Sequence, residues 1–188
     1  MMRIIGGKFS GRPIIAPKGR ETRPTADRAR ESVFNILAHK ENFEMEGARV
    51  IDLFAGSGAL GLEAMSRGGS FCLFVETDAD ARGAIRDNIE ALGLFGETRI
   101  HRRSASMLGA KPSGVGPKFT LAFIDPPYGK DLVESTLLSL QQGAWLADGA
   151  LVLAEQGKDE IPPIVAGFEE NDRRTYGAAQ ITFYRFLA

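Results

Sequence analysis

From Arg49 onward, short apolar runs alternate with amphipathic stretches, and that alternation sets the expected elements. "RVIDLF", "SFCLFVE", "TRIH", "FTLAFIDPP" and "GALVLAE" read as strands, with "LGLEAMSR", "ADARGAIRDNIEALG" and "LVESTLLSLQQ" as the helices between them. Two late segments, "EENDRRTYG" and "AQITFYRFL", read as a closing antiparallel pair. Near-continuous apolar strands joined by helices imply an α/β domain: a mostly parallel seven-stranded sheet, covered on both faces, with an antiparallel edge. In such sheets ligands bind at the carboxyl ends of the strands.

The first forty residues follow another pattern. Residues 3–5 and 13–16 are short β-like pieces around "GGKFSG", which reads as a hairpin with a basic tip, and "KGRETRP" is a polar linker. Thr25 is placed to cap a helix running to about Lys40, with Asp27 in its first turn and Ala29, Val33, Ile36 and Leu37 at helical spacing. The division expected is therefore residues 1–40 as a hairpin-and-helix appendage and residues 41–188 as the main domain.

Charge sharpens that division. The net charge is −1, but residues 1–40 hold nine Lys/Arg against three Asp/Glu, a net +6, which leaves −7 for the rest. A basic arm on an acidic body suits phosphate contacts. One cysteine, Cys72, lies inside an apolar run and excludes a disulfide framework or a multi-cysteine metal site. No apolar stretch is long enough to span a membrane, and "MMRIIGGKFSGR" lacks the apolar segment of an export signal, so a cytoplasmic protein with no membrane partner is expected.

"DLFAGSGALG" carries Gly56, Gly58 and Gly61 in the G-x-G-x-x-G spacing, and Glu76 follows twenty residues after the first glycine. A glycine turn between a strand and its helix lets backbone approach a nucleotide cofactor closely, whichever cofactor it is. Asp52 discriminates. A carboxylate at that strand end would repel a pyrophosphate, as in NAD, but suits the cationic amino acid end of S-adenosylmethionine. Glu76 could hold the ribose of either.

"FIDPPYGK" supplies the second signal. Pro126 and Pro127 cannot continue a sheet ladder, so they stiffen the turn and leave carbonyls free. Asp125 and the Pro126 carbonyl can accept hydrogens from an exocyclic amino group, while the ring of Tyr128 offers a stacking surface for a nucleobase. Two acceptors outside the base plane would favour a pyramidal nitrogen and return its lone pair for attack on a methyl sulfonium. No metal is required.

These residues resemble class I S-adenosylmethionine-dependent methyltransferases with Rossmann-like folds that methylate amino groups. In order, "MRIIGGKFSGR", "RPTADRARESVFNIL", "DLFAGSGALGLEAMSRG", "FIDPPYGK" and "GAWL" are similar to the RsmD family of bacterial 16S ribosomal RNA guanine-N2 methyltransferases. The resemblance implies methyl transfer to the N2 amine of a guanine in 16S rRNA, presented within an assembling 30S subunit, by a monomer without metal. It implies that Asp52, Phe54, Ala55, Gly56, Ser57 and Gly58 surround the methionine part of the cofactor, that Glu76 and Thr77 hold the ribose, and that Ser104 and Ala105 lie near the adenine. The family commonly has Asp or Asn where this chain has Ser104, which weakens that contact. Asp125, Pro126, Pro127 and Tyr128 would form the target-amine site, with Asp125 also touching the cofactor. Arg3, Lys8, Arg12, Arg20, Arg23, Thr25 and Arg28 would contact RNA, joined by Lys18 and Arg30, and Arg23, Pro24, Thr25 and Arg28 would lie over the site's mouth.

Arg102 and Arg103 could extend the basic patch. His39 and His101 lack a partner cluster and are read as non-catalytic, and Trp145 as core. The competing readings are a DNA adenine-N6 or cytosine-N4 methyltransferase, an NAD-dependent oxidoreductase, and a non-catalytic RNA-binding assembly factor.

Overall fold

The computed structural model describes residues 2–17 and 24–188, with side chains in the first helix from Asp27 onward. The main sheet has seven strands: β3 (Arg49–Leu53), β4 (Phe71–Val75), β5 (Thr98–His101), β6 (Phe119–Ile124), β7 (Leu146–Gly157), β8 (Phe168–Tyr176) and β9 (Ala179–Phe186). Their order is β5-β4-β3-β6-β7-β9-β8. The first five run parallel, while β9 pairs antiparallel with both β7 and β8. This is the expected α/β fold with its antiparallel edge. The chain moves outward from β3 to β4 and β5, then returns to place β6 on the other side of β3. A crevice therefore opens between the carboxyl ends of β3 and β6, the switch point where such sheets bind ligands.

Three helices follow the alternation: α2 (Ala59–Ser66), α3 (Ala79–Leu92) and α4 (Leu132–Gln142), numbered after the N-terminal α1 (Pro24–Ala38). Asp78 caps α3 by accepting from the Ala81 amide at 2.8 Å, and Gly93 ends it in the left-handed region. α1 begins at Pro24, one residue ahead of the expected cap at Thr25. Proline suits a first helical position because its missing N–H would have no partner there. Trp145 is fully buried and donates from Nε1 to the Gly109 carbonyl at 2.8 Å, so it is a core residue as read. Cys72 is buried as well.

The N-terminal hairpin pairs β1 (Met2–Arg3) with β2 (Pro13–Ile14). It does not form a core of its own. Met2, Ile4 and Ile14, with Val33, Phe34 and Leu37 of α1, pack into the same apolar cluster as Val50, Leu62, Phe74 and Phe123 of the sheet and α2. Strand alternation sends the other side chains, among them Ile51, Leu53, Val75 and Ile124, into a second cluster on the opposite face beneath α4. The appendage thus covers the sheet face on which the crevice opens.

Candidate active site

On that face, apolar residues give way to acids near the carboxyl ends of four strands: Val50 to Asp52, Phe74 to Glu76, Phe123 to Asp125 and Leu153 to Glu155. Leu53 is in register with Val75 and Ile124, and Ile124 with Ala154. Glu76, Asp125 and Glu155 therefore stand at one level, with Asp52 one step beneath. Phe54, which would occupy that level on β3, instead turns the chain at φ +60°, a left-handed conformation costing an ordinary side chain about 1–2 kcal/mol.

Asp52 is buried, and its Oδ2 accepts from the Gly61 amide at 2.9 Å. Burial pushes its carboxyl well above the ordinary range; the Gly61 bond opposes this, and the nearby charges of Asp125 and Glu76 add to it. Gly61 is needed for this approach. A Cβ there would stand 2.5 Å from the Phe74 ring and 2.6 Å from the Cys72 sulfur. Glu76 joins the glycine loop after β3 to the turn that follows β4, accepting from Gly56 N through Oε2 at 2.8 Å and from Asp78 N through Oε1 at 2.9 Å.

The Asp125-Pro-Pro-Tyr turn leaves β6 where the Asp125 amide makes a last long bond, 3.4 Å, to the Leu53 carbonyl. Two carboxylates, Glu155 of β7 and Glu160 just beyond it, hold the turn. The Tyr128 hydroxyl donates to Glu155 Oε1, and the Gly129 amide donates to Glu160 Oε1 at 3.2 Å. Burial and the Glu155 bond both raise the Tyr128 hydroxyl, so it stays protonated. Tyr128 as a residue remains 46% exposed and borders the cleft.

A cleft of about 460 Å³ joins these parts. Asp52, residues 54–57, Asp125, Tyr128 and Glu155 line it from the sheet and its loops, Tyr176 and Ala178 from the β8–β9 hairpin, and Met2, Ala16, Pro17, Ala29 and Arg30 from the appendage. Buried polar groups fasten the appendage. Glu63 of α2 accepts from the Ile5 and Gly6 amides, each at 2.8 Å, and from Arg67 Nε at 2.8 Å. Asn88 of α3 pairs with the backbone of Ile15 and donates to the Ser57 carbonyl at 3.0 Å.

The family described as Conserved hypothetical protein 95 matches residues 2–185, appendage included. The chain belongs to that family. Among relatives of this Conserved hypothetical protein 95 member, Ribosomal RNA small subunit methyltransferase D of Escherichia coli is 33% identical over 185 residues, covering 98% of this chain and 89% of the relative. YlbH of Bacillus subtilis is 32% identical over 185 residues, covering 98% of each chain. The solved structure of yhhF from Escherichia coli superposes with a TM-score of 0.83 at 32% identity, over 100% of this chain and 98% of that one.

In this member of the Conserved hypothetical protein 95 family, the cleft gathers half of the residues expected around the methyl donor and the target amine: Asp52, residues 54–57, Asp125 and Tyr128. Gly58, Glu76, Thr77, Ser104, Ala105, Pro126 and Pro127 do not form its wall. Gly58 caps α2 in the left-handed region, and Ala105 is buried in the second core. Ser104 Oγ lies 3.0 Å from Ser106 Oγ, beyond the end of β5. Of the expected RNA contacts, Lys8 and Arg28 are exposed; Arg3 and Arg12 are exposed as well but also tie the hairpin, donating to the Gly11 and Ala91 carbonyls at 2.9 and 2.7 Å. Lys18, Arg20 and Arg23, and the side chains of Pro24 and Thr25, lie outside the described residues. Arg30 is a correction. Its guanidinium is buried, donates to the Arg3 carbonyl at 2.7 Å and pairs with Asp27 and Glu63, so it serves the core and not a phosphate. Sequence reasoning also passes over Glu63, Asn88 and Glu155. For Glu155 a signal exists: "LVLAE" ends an apolar run on an acid, as "LAFID" does.

Proposed function

We propose that this protein transfers a methyl group from S-adenosylmethionine to the exocyclic N2 amine of a guanine in small-subunit ribosomal RNA. The observation that carries the reading is the sharing of one cleft by the buried Asp52 loop and the Asp125-Pro-Pro-Tyr turn, with residues of the N-terminal appendage completing its lining. An acid-lined cleft disfavours a pyrophosphate and suits a cationic donor.

The sulfonium supplies an electrophilic methyl carbon when bound. Asp52 and residues 54–57 hold the donor's amino acid end, and Glu76, with its two oxygens tying the glycine loop to the turn after β4, supports its ribose side. Asp125 and the Pro126 carbonyl draw the two amine hydrogens out of the base plane, while Tyr128 stacks on the ring and keeps water away. The nitrogen lone pair forms the new N–C bond as the C–S bond breaks and its pair stays on sulfur; the amine proton leaves to water or to an acceptor of the turn. Residues 1–40 act as the RNA-binding unit, residues 41–188 as the catalytic one. The enzyme works as a cytoplasmic monomer on rRNA within an assembling 30S particle.

The test is methylation of 30S subunits from a strain lacking the modification, with the product mapped by mass spectrometry. N2-methylguanosine at a single site is expected. Methylation of duplex DNA alone, or saturable NAD binding without binding of S-adenosylhomocysteine, overturns the reading.

A further inference from the structure

The Asp125-Pro-Pro-Tyr turn explains how an amine is gripped, but adenine, cytosine and guanine all carry one. What separates them is the ring nitrogen beside it. Guanine presents an N1–H donor next to its amine, whereas adenine N1 and cytosine N3 are acceptors. A site that selects guanine needs a second acceptor beyond the amine grip.

Glu155 stands there. It occupies the same level of the same sheet face as Asp125, on the adjacent strand, and both line the cleft. The Tyr128 hydroxyl donates to its Oε1, which turns the carboxylate toward the stacking ring and favours its acceptor-only, ionised form. Burial works against that form, so the Tyr128 bond matters to it. Gly157 and Gly129 amides hold Glu160 behind this arrangement, at 2.6 and 3.2 Å, fixing the turn against β7.

Resting on the function proposed above, we infer that Glu155 is the specificity-determining residue for guanine: its carboxylate accepts the N1–H beside the amine that Asp125 grips. A base with a ring-nitrogen acceptor would meet that carboxylate lone pair to lone pair.

The experiment replaces the mapped guanosine, by splint ligation of rRNA before particle assembly, with 2,6-diaminopurine. That base keeps the 2-amino group but has an acceptor at N1. The wild-type enzyme should methylate guanine about tenfold or more faster than diaminopurine. Glu155→Gln, whose amide can donate to N1, should bring the ratio to one or invert it. Glu155→Ala should lower the ratio without inversion, and Tyr128→Phe, which removes the bond that orients Glu155 and favours its ionised form, should lower it as well. A ratio between two substrates cancels any loss of folded enzyme. Equal wild-type rates on the two bases, or an unchanged ratio in Glu155→Gln, overturns the inference alone; no methylation of guanine by wild type overturns the reading beneath it.

Discussion

Asn88 and Ile15 are joined by two hydrogen bonds, Ile15 N to Oδ1 at 2.8 Å and Nδ2 to Ile15 O at 3.0 Å, so that one side chain imitates a strand partner for the appendage. The same amide nitrogen reaches the Ser57 carbonyl in the glycine loop. Asn88→Ala strands three partly buried backbone groups and should cost about 2–4 kcal/mol, read from urea midpoints. It should also weaken S-adenosylhomocysteine binding, because Ser57 loses its tether; unchanged affinity in the folded variant would sink that coupling.

Glu63 ties the hairpin loop after β1 to α2 through a carboxylate that is fully buried. Glu63→Gln replaces one acceptor with an amide that faces a donor and leaves Arg67 and Arg30 short of a counter-charge. A loss of about 3 kcal/mol is expected, with faster hydrogen exchange at the Ile5 and Gly6 amides. Exchange at those amides should rise more than at β6.

Asp52 supplies a pH signature. Its carboxyl is raised in the folded protein, so the native state binds the proton more tightly than the unfolded chain does. Stability from this group is full below about pH 4 and is lost as pH rises to the folded value, on the order of 1.4 kcal/mol per pH unit within that window. Asp52→Asn, which can still accept from Gly61, should therefore be more stable than wild type at pH 7, with the difference closing toward pH 4. It should bind the cationic donor more weakly. Greater stability of the wild type at pH 7 would contradict the assignment.

Asp125→Ala should abolish turnover while leaving S-adenosylhomocysteine affinity within about tenfold, roughly 1.4 kcal/mol. Calorimetric titration beside a radiolabelled methyl-transfer assay separates the two effects. A variant with unaltered turnover removes the turn from the mechanism.

Lys8 and Arg28 are exposed on the appendage. Replacing both with Gln should weaken RNA binding and lower the slope of log affinity against log salt by about 0.7–0.9 for each phosphate that is no longer neutralised. Arg30→Gln should instead lower stability, since that side chain is buried with Asp27 and Glu63. A filter-binding series across salt concentrations distinguishes the two behaviours.

Strands, helices and the glycine loop are legible in the sequence because each depends on local period. "SFCLFVE" cannot bury its apolar run except in a covered sheet, and Gly56, Gly58 and Gly61 announce backbone that other residues would obstruct. The Asp125 turn is legible for the same reason, since two prolines forbid anything else there. Arg30 is misread because charge in sequence says nothing of burial: Arg28 and Arg30 look alike until helical rotation sends one outward and the other onto Glu63. Glu155 escapes sequence reasoning because its meaning depends on register, which brings β7 beside β6 and aligns Ala154 with Ile124.

The sequence by itself determined the alternating sheet, the two loops proposed to carry the chemistry and the separation of a basic arm from an acidic body. Each of these follows from the spacing of a few neighbouring residues. Only the tertiary structure decided that the arm forms a wall of the cleft, that Glu63 and Asn88 anchor it, and that acids from β3, β4, β6 and β7 converge on one face. Those outcomes rest on pairings across tens of residues, where burial, and not side-chain type, assigns a charged group either to the core or to the site.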